Sequence, residues 1–179
     1  MNLYLHRALL ATLAVLIVAF GVFAQGGRRD HLTPQEIDLV KENQVLDKRI
    51  EVFVKAAERR LLALNSVTAP ATKQAKKDSE KWGELPTGTR TELIRDLAQI
   101  LDDAIINIDD VSEHDRTNVL IPKAVRKLSA AANGFLPQLN ALAEQAKDEE
   151  ERSAIGKALE NAQSIIEAGK NLPAPTKKK

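Results

Sequence analysis

The chain has 179 residues, of which 44% are apolar, 28% charged and 3% aromatic, with a formal net charge of +1 and no cysteine. The missing cysteine excludes a disulfide framework, thiolate metal sites, thioether-linked haem and a lipoprotein anchor; the balanced charge excludes the basic footprint of a dedicated nucleic-acid binder. Three of the aromatics, Tyr4, Phe20 and Phe23, fall near the N-terminus, which leaves Phe53, Trp82 and Phe135, too few for base- or sugar-stacking platforms.

Residues 1–24 hold 19 apolar side chains, against 59 in the other 155 residues. A short leading region ends at His6 and Arg7, an apolar run from Ala8 to Ala24 follows, and the small residues Val22 and Ala24 precede Gln25. This is the pattern of a secretory signal peptide cleaved after Ala24, and it predicts an exported protein, periplasmic or extracellular. The alternative is an uncleaved membrane anchor. The run is somewhat shorter than the roughly 20 apolar residues that span a bilayer, and a membrane partner follows only from that alternative. Without the leader, the chain carries 25 basic and 25 acidic residues, enough chain for one core but hardly two.

Residues 25–32 contain Gly26, Gly27, Arg28 and Arg29 and read as a flexible arm. Thr33-Pro34-Gln35-Glu36 is a capping box with a proline at the first helical position. From it Leu39, Leu46, Ile50, Phe53, Ala57, Leu61 and Leu64 recur at helical spacing, which predicts one helix from Pro34 to Leu64, about 45 Å long. A second box, Thr89-Arg90-Thr91-Glu92, opens a helix whose apolar face runs Leu93, Leu97, Ile100, Ala104, Ile108 and Val111 and which fades near Glu113 or His114. A third helix starts at Pro122 and carries Val125, Leu128, Ala132, Phe135, Leu139, Leu142 and Ala146, with a kink expected at Pro137 helped by Gly134. A fourth opens at Asp148 with Glu149, Glu150 and Glu151, acids that suit a helix N-terminus, and runs to Lys170 before a lysine-rich tail, 171–179.

No stretch alternates apolar and polar residues as a strand does, so the expected fold over 33–170 is all-α, an antiparallel four-helix bundle. Its one departure from short connections is the loop 65–88, with a polar stretch from Lys73 to Lys81 that reads as a short surface helix. Trp82 and Leu85, near the loop's end, either plug the bundle or form a binding loop.

Neither His31 nor His114 follows a Glu by three residues, as di-iron bundles require, and the only Met is the first residue, so haem and copper ligands are lacking. Asp96, Asp103, Asn107, Asp110 and His114 share one flank of the second helix and are candidate ligands for a hard cation; the competing reading is a solvated acidic face. Ser112, Glu113, His114 and Asp115 include triad residue types, but helical neighbours diverge by about 100° and cannot form a relay by adjacency. No phosphate-cradling loop is present. These readings predict neither catalytic residues nor a cofactor.

Apolar side chains outside the main stripes are candidates for contact with a protein partner or for self-association: Val45 and Val52, with Ala56, on the first helix and Ile106 on the second, together with Trp82 and Leu85. The segments Leu32–Ile37, Asp47–Phe53, Trp82–Arg90 and Ile108–Asp110 resemble an uncharacterised family of predicted secreted or periplasmic all-helical bacterial proteins. That resemblance implies an exported helical protein and brings no activity, cofactor or site residue. Leu32-Thr33 at a helix start is also similar to the Leu-Thr-x-x-Gln motif of periplasmic helical chaperones, although Glu36 stands where the Gln falls and the methionine- or basic-rich surface of those chaperones is missing. The function expected is a non-enzymatic interaction or scaffold module of the cell envelope. A cation-binding or enzymatic bundle and a chaperone-like protein are the alternatives.

Overall fold

A computed structural model describes residues 29–65 and 79–173, and among them every regular element is helical. The chain divides into two compact units, Met1–Asp30 and His31–Lys179, and the architecture below is that of the second. The leader with its cleavage site, residues 66–78 and the lysine tail from residue 174 lie outside the described residues, as does most of the surface helix expected from Lys73 to Lys81.

The single helix expected from Pro34 to Leu64 is two, α1 (Pro34–Glu42) and α2 (Leu46–Leu64). Asn43 leaves the helical region at φ −97° and ψ 82°, and both its backbone N–H and its side-chain Nδ2 donate to the Leu39 carbonyl, at 3.1 and 2.7 Å. A short amide that competes for the backbone in this way ends a helix. Val45 is extended, and α1 folds back antiparallel along the outer side of α2. The remaining helices follow their local signals closely. α3 (Arg90–His114) starts from the Thr89/Glu92 capping box, α4 (Ile121–Glu144) has Pro122 in its first turn, and α5 (Glu149–Lys170) starts where Asp148 accepts from the Glu151 N–H. α4 continues through Gly134 and Pro137 without a break. His31 and Leu32, placed in the arm by sequence, belong to the packed body: Leu32 is buried in the main core and the His31 carbonyl accepts from Arg60.

The four long helices form a bundle whose order around the ring is α2, α3, α5, α4. The C-terminal end of α2, the N-terminal ends of α3 and α5 and the C-terminal part of α4 share one end of it, where Asn65 donates to Gln138 at 3.1 Å and Arg90 pairs with Glu151. Consecutive helices thus alternate in direction, yet α3 and α4 stand at diagonal corners, and α3 lies parallel beside α5. Ile50 and Phe53 of α2, Leu97 and Leu101 of α3, Leu128 and Leu139 of α4, and Ile155 and Ala162 of α5 fill the shared core, as their helical spacing predicts. Helices α4 and α5 approach closely at Gly169, where an added Cβ would stand 2.5 Å from the Ser129 Cβ. Asn161, buried on the α3–α5 seam, donates to the Ala98 carbonyl at 2.9 Å.

Candidate functional site

The most heavily charged interior point is on the outer side of α2. Glu36 is fully buried, and its carboxylate serves three donors: Oε2 accepts from the Thr33 N–H at 2.9 Å, and Oε1 accepts from Arg59 Nε at 3.0 Å and Arg60 Nη1 at 2.5 Å. Arg60 also donates to the carbonyls of Ala56 and His31 at 3.2 and 2.6 Å, and Arg59 to those of Gly83 and Glu84. The Arg59 guanidinium stands 6.0 Å from the centre of the Trp82 ring, and Trp82 packs with Leu39 and Val52 in a second apolar cluster. Gly83 takes φ +68°, a left-handed conformation suited to glycine, with the Gln35 side chain against it. One carboxylate thus fastens α1 and the Trp82 loop to α2. Buried ions survive only when paired and hydrogen-bonded in this manner.

Two expectations change as a result. Val52 and Trp82 were candidates for an external partner, and both are buried, at 5% and 7% exposure, because α1 and the loop cover that side of α2. Ala56 is buried as well, so the second stripe of the first helix is largely an internal contact. Val45, at the break between α1 and α2, stays 52% exposed, and Leu85 40%.

The polar flank of α3 separates into local pairings. Asp96 is buried. Asp103 Oδ2 lies 2.8 Å from His31 Nε2; Asn107 accepts from Arg49 Nη1 at 3.0 Å and donates to the Asp103 carbonyl at 2.9 Å. His114 Nδ1 bonds the Asp110 carbonyl within its own helix at 2.7 Å. Asp115 turns away to accept from the N–H and hydroxyl of Thr117. Among the described residues no three His, Asp or Glu side chains come close enough together to hold a metal ion. The flank is tied to the segment before α1 and to α2, contacts that helix periodicity alone cannot show.

Outside this flank, charge is used for fastening helices. Asp47 is held below the usual carboxylate range mainly by the Lys123 ammonium 2.5 Å away, with Lys127 adding to the effect. Glu51 is lowered by Lys127 and then Lys48, which joins the start of α2 to α4. At the opposite end, the Lys147 N–H at 2.9 Å and then the Arg90 side chain lower Glu151. Arg59 and Arg60 were missed by sequence reasoning because adjacent arginines in a helix read as solvated surface. Their only local signal is that Arg60 borders the apolar stripe. No described helix is long and apolar enough to cross a membrane.

Three further large apolar side chains are exposed: Leu62 on α2, Ile106 on α3 and Val119 in the α3–α4 connection. Ile106 is 48% exposed, and its neighbours one helical turn away are Asp102, Asp103, Asp109 and Asp110. Beside it a cleft of about 290 Å³ between α3, α4 and α5 is lined by Ile105, Ile108, Asp109, Val125, Leu128 and Ile165 among others. A second, more polar groove, about 480 Å³, lies on the α3–α5 seam beside Arg95, Asp102 and Lys157. No family model, no curated protein and no solved structure matches this chain.

Proposed function

We propose that the protein is an exported, non-enzymatic helical bundle of the cell envelope that works through protein contacts. The observation that carries the reading is how its polar side chains are used. Glu36, Asp47, Asp103 and Glu151 each engage donors from a different helix or from the segment before α1, which is the work of a scaffold, whereas a reaction centre needs a nucleophile, base and electrophile aimed at one point. Large aliphatic side chains at the α1–α2 break (Val45), on α3 (Ile106) and in the α3–α4 connection (Val119) remain available to a partner. Export rests on the leader and its Ala24–Gln25 junction.

The test has two arms on the purified protein lacking residues 1–24. Affinity capture from envelope extract, with an unrelated helical bundle as control, should retain a specific protein. A broad hydrolase screen should show no turnover. Turnover that disappears on His114→Ala, with nothing captured, would overturn the reading.

A further inference from the structure

From the geometry of α3 we infer an interaction surface and the chemistry of its partner: the outward face of the C-terminal half of α3 is a docking site for a cationic amphipathic polypeptide segment, anchored by an aliphatic side chain. The inference rests on the protein-contact reading above and specifies where that contact is made.

The four residues at i−4, i−3, i+3 and i+4 from Ile106 are its neighbours on the helix surface, and here all four are aspartates, Asp102, Asp103, Asp109 and Asp110. Only Asp103 has an ion-pair partner, His31; among the described residues no lysine or arginine lies within ion-pair distance of Asp102, Asp109 or Asp110. Several surface acids elsewhere do have ion-pair partners: Asp38 with Lys41, Glu51 with Lys48 and Lys127, Glu58 with Lys55, Glu150 with Arg95 and Glu160 with Lys157. Asp109 and Asp110 also lie near the C-terminal end of the helix, where the dipole is negative and cations are preferred. His114 is the sole basic residue in the last turn. A cationic partner relieves both defects together.

The apolar component comes from geometry. Ile105 and Ile106 are adjacent in sequence, one lining the cleft shared with Val125, Leu128 and Ile165 and the other standing outside it, with Asp109 at the boundary. A residue the size of leucine can enter a cleft of about 290 Å³, while lysines or arginines one turn away along the same helix reach Asp102, Asp109 and Asp110. An acidic partner is repelled by this face, and an uncharged apolar one leaves the aspartates without counter-charge.

The experiment uses the protein lacking residues 1–24 and a synthetic amphipathic helical peptide of leucine and lysine, with two companions in which serine replaces leucine or glutamate replaces lysine. Titration calorimetry should show binding of the leucine–lysine peptide only. Ile106→Ser should weaken it about tenfold, the effect of losing roughly 1.4 kcal/mol. Joint Asp102→Asn, Asp109→Asn and Asp110→Asn replacement should weaken it further and flatten its salt dependence. Glu58→Gln, an acid far from this face, should leave binding unchanged. Equal binding of the serine peptide, or indifference to Ile106→Ser, would overturn the proposal, as would sedimentation of the free protein as a dimer that Ile106→Ser dissociates, because a second copy is then the occupant. Captured envelope protein that survives Ile106→Ser would sink this surface and leave the protein-contact reading standing.

Discussion

Removing the Glu36 carboxylate tests the central assembly claim, that one buried acid neutralises two buried guanidiniums and so fastens α1 and the Trp82 loop to α2. Glu36→Ala leaves Arg59 and Arg60, 5% and 1% exposed, without a counter-ion, a change that costs about 3–5 kcal/mol when nothing relaxes, and it deletes the acidic half of the capping box, worth about 1 kcal/mol. The alternative open to the mutant is to undock the covering layer and hydrate the arginines. That exposes Leu39, Val52 and Trp82, at roughly 1.5–3 kcal/mol for each large side chain. The docked route sums to about 4–6 kcal/mol and undocking to about 4.5–9, ranges that overlap, so a loss of about 4–6 kcal/mol is expected together with partial undocking. Glu36→Gln keeps an acceptor for the Thr33 N–H and weakens two charge-assisted bonds to neutral ones, for a loss of about 2 kcal/mol. Trp82 is the only tryptophan, so its emission reports the layer alone while far-UV circular dichroism in urea reports the bundle. Emission should shift to the red and its transition should precede the helical one in Glu36→Ala. If Glu36→Ala costs under about 1 kcal/mol and emission does not move, the carboxylate is not the fastening described.

The glycines give a contrast of opposite sign. Nothing lies within 4 Å of a Cβ built at Gly134 or Gly156, so alanine at either should raise stability by about 0.5–1 kcal/mol in thermal melts. At Gly169 the new Cβ would meet Ser129 Cβ at 2.5 Å, against about 3.5–4.0 Å for ordinary carbon contact, so Gly169→Ala should cost about 1–3 kcal/mol; Ser129→Gly should rescue it and Ser129→Ala should not, because only the former removes the Cβ. Asp47, Glu51 and Glu151 are all lowered from ordinary values of 3.8, 4.5 and 4.5. Their contribution is complete above those values and lost as pH falls through the lowered ones; acid titration of Asp47→Asn and Glu151→Gln should show a flatter loss of stability below pH about 4.5 than the parent. Lys123 is raised from 10.5, so its share is complete below that ordinary value and is lost as pH rises from there through the raised one. Replacing exposed Glu113 in the last turn of α3 by lysine should stabilise the protein by about 0.3–1 kcal/mol, read as a higher unfolding midpoint. Intact mass of the exported protein should begin at Gln25; a chain retaining residues 1–24 would replace export by anchoring.

Helix identity and most helix limits were legible because their causes are local. Thr33 with Glu36, Thr89 with Glu92 and Asp148 with Glu151 close hydrogen bonds three residues apart, and apolar spacing identifies which face enters a core. Two features were beyond such reasoning. Unbroken periodicity through Asn43 concealed the reversal between α1 and α2, which depends on Asn43 capping Leu39 and on what the reversed helix then covers. Burial of Arg59 and Arg60 depends on a carboxylate 23 and 24 residues away, a relation that no local window contains.

Composition and periodicity by themselves determined an all-helical body and its cap chemistry. Tertiary structure alone decided what the surplus apolar residues do. Val52 and Ile106 are equivalent in sequence, each an aliphatic side chain off the main stripe of its helix. Val52 is covered by Trp82 and Leu39, while Ile106 stays in the open among aspartates. Burial is a property of what another part of the chain places over a residue, and that placement is set by long-range packing and charge pairing, not by the residue or its helix.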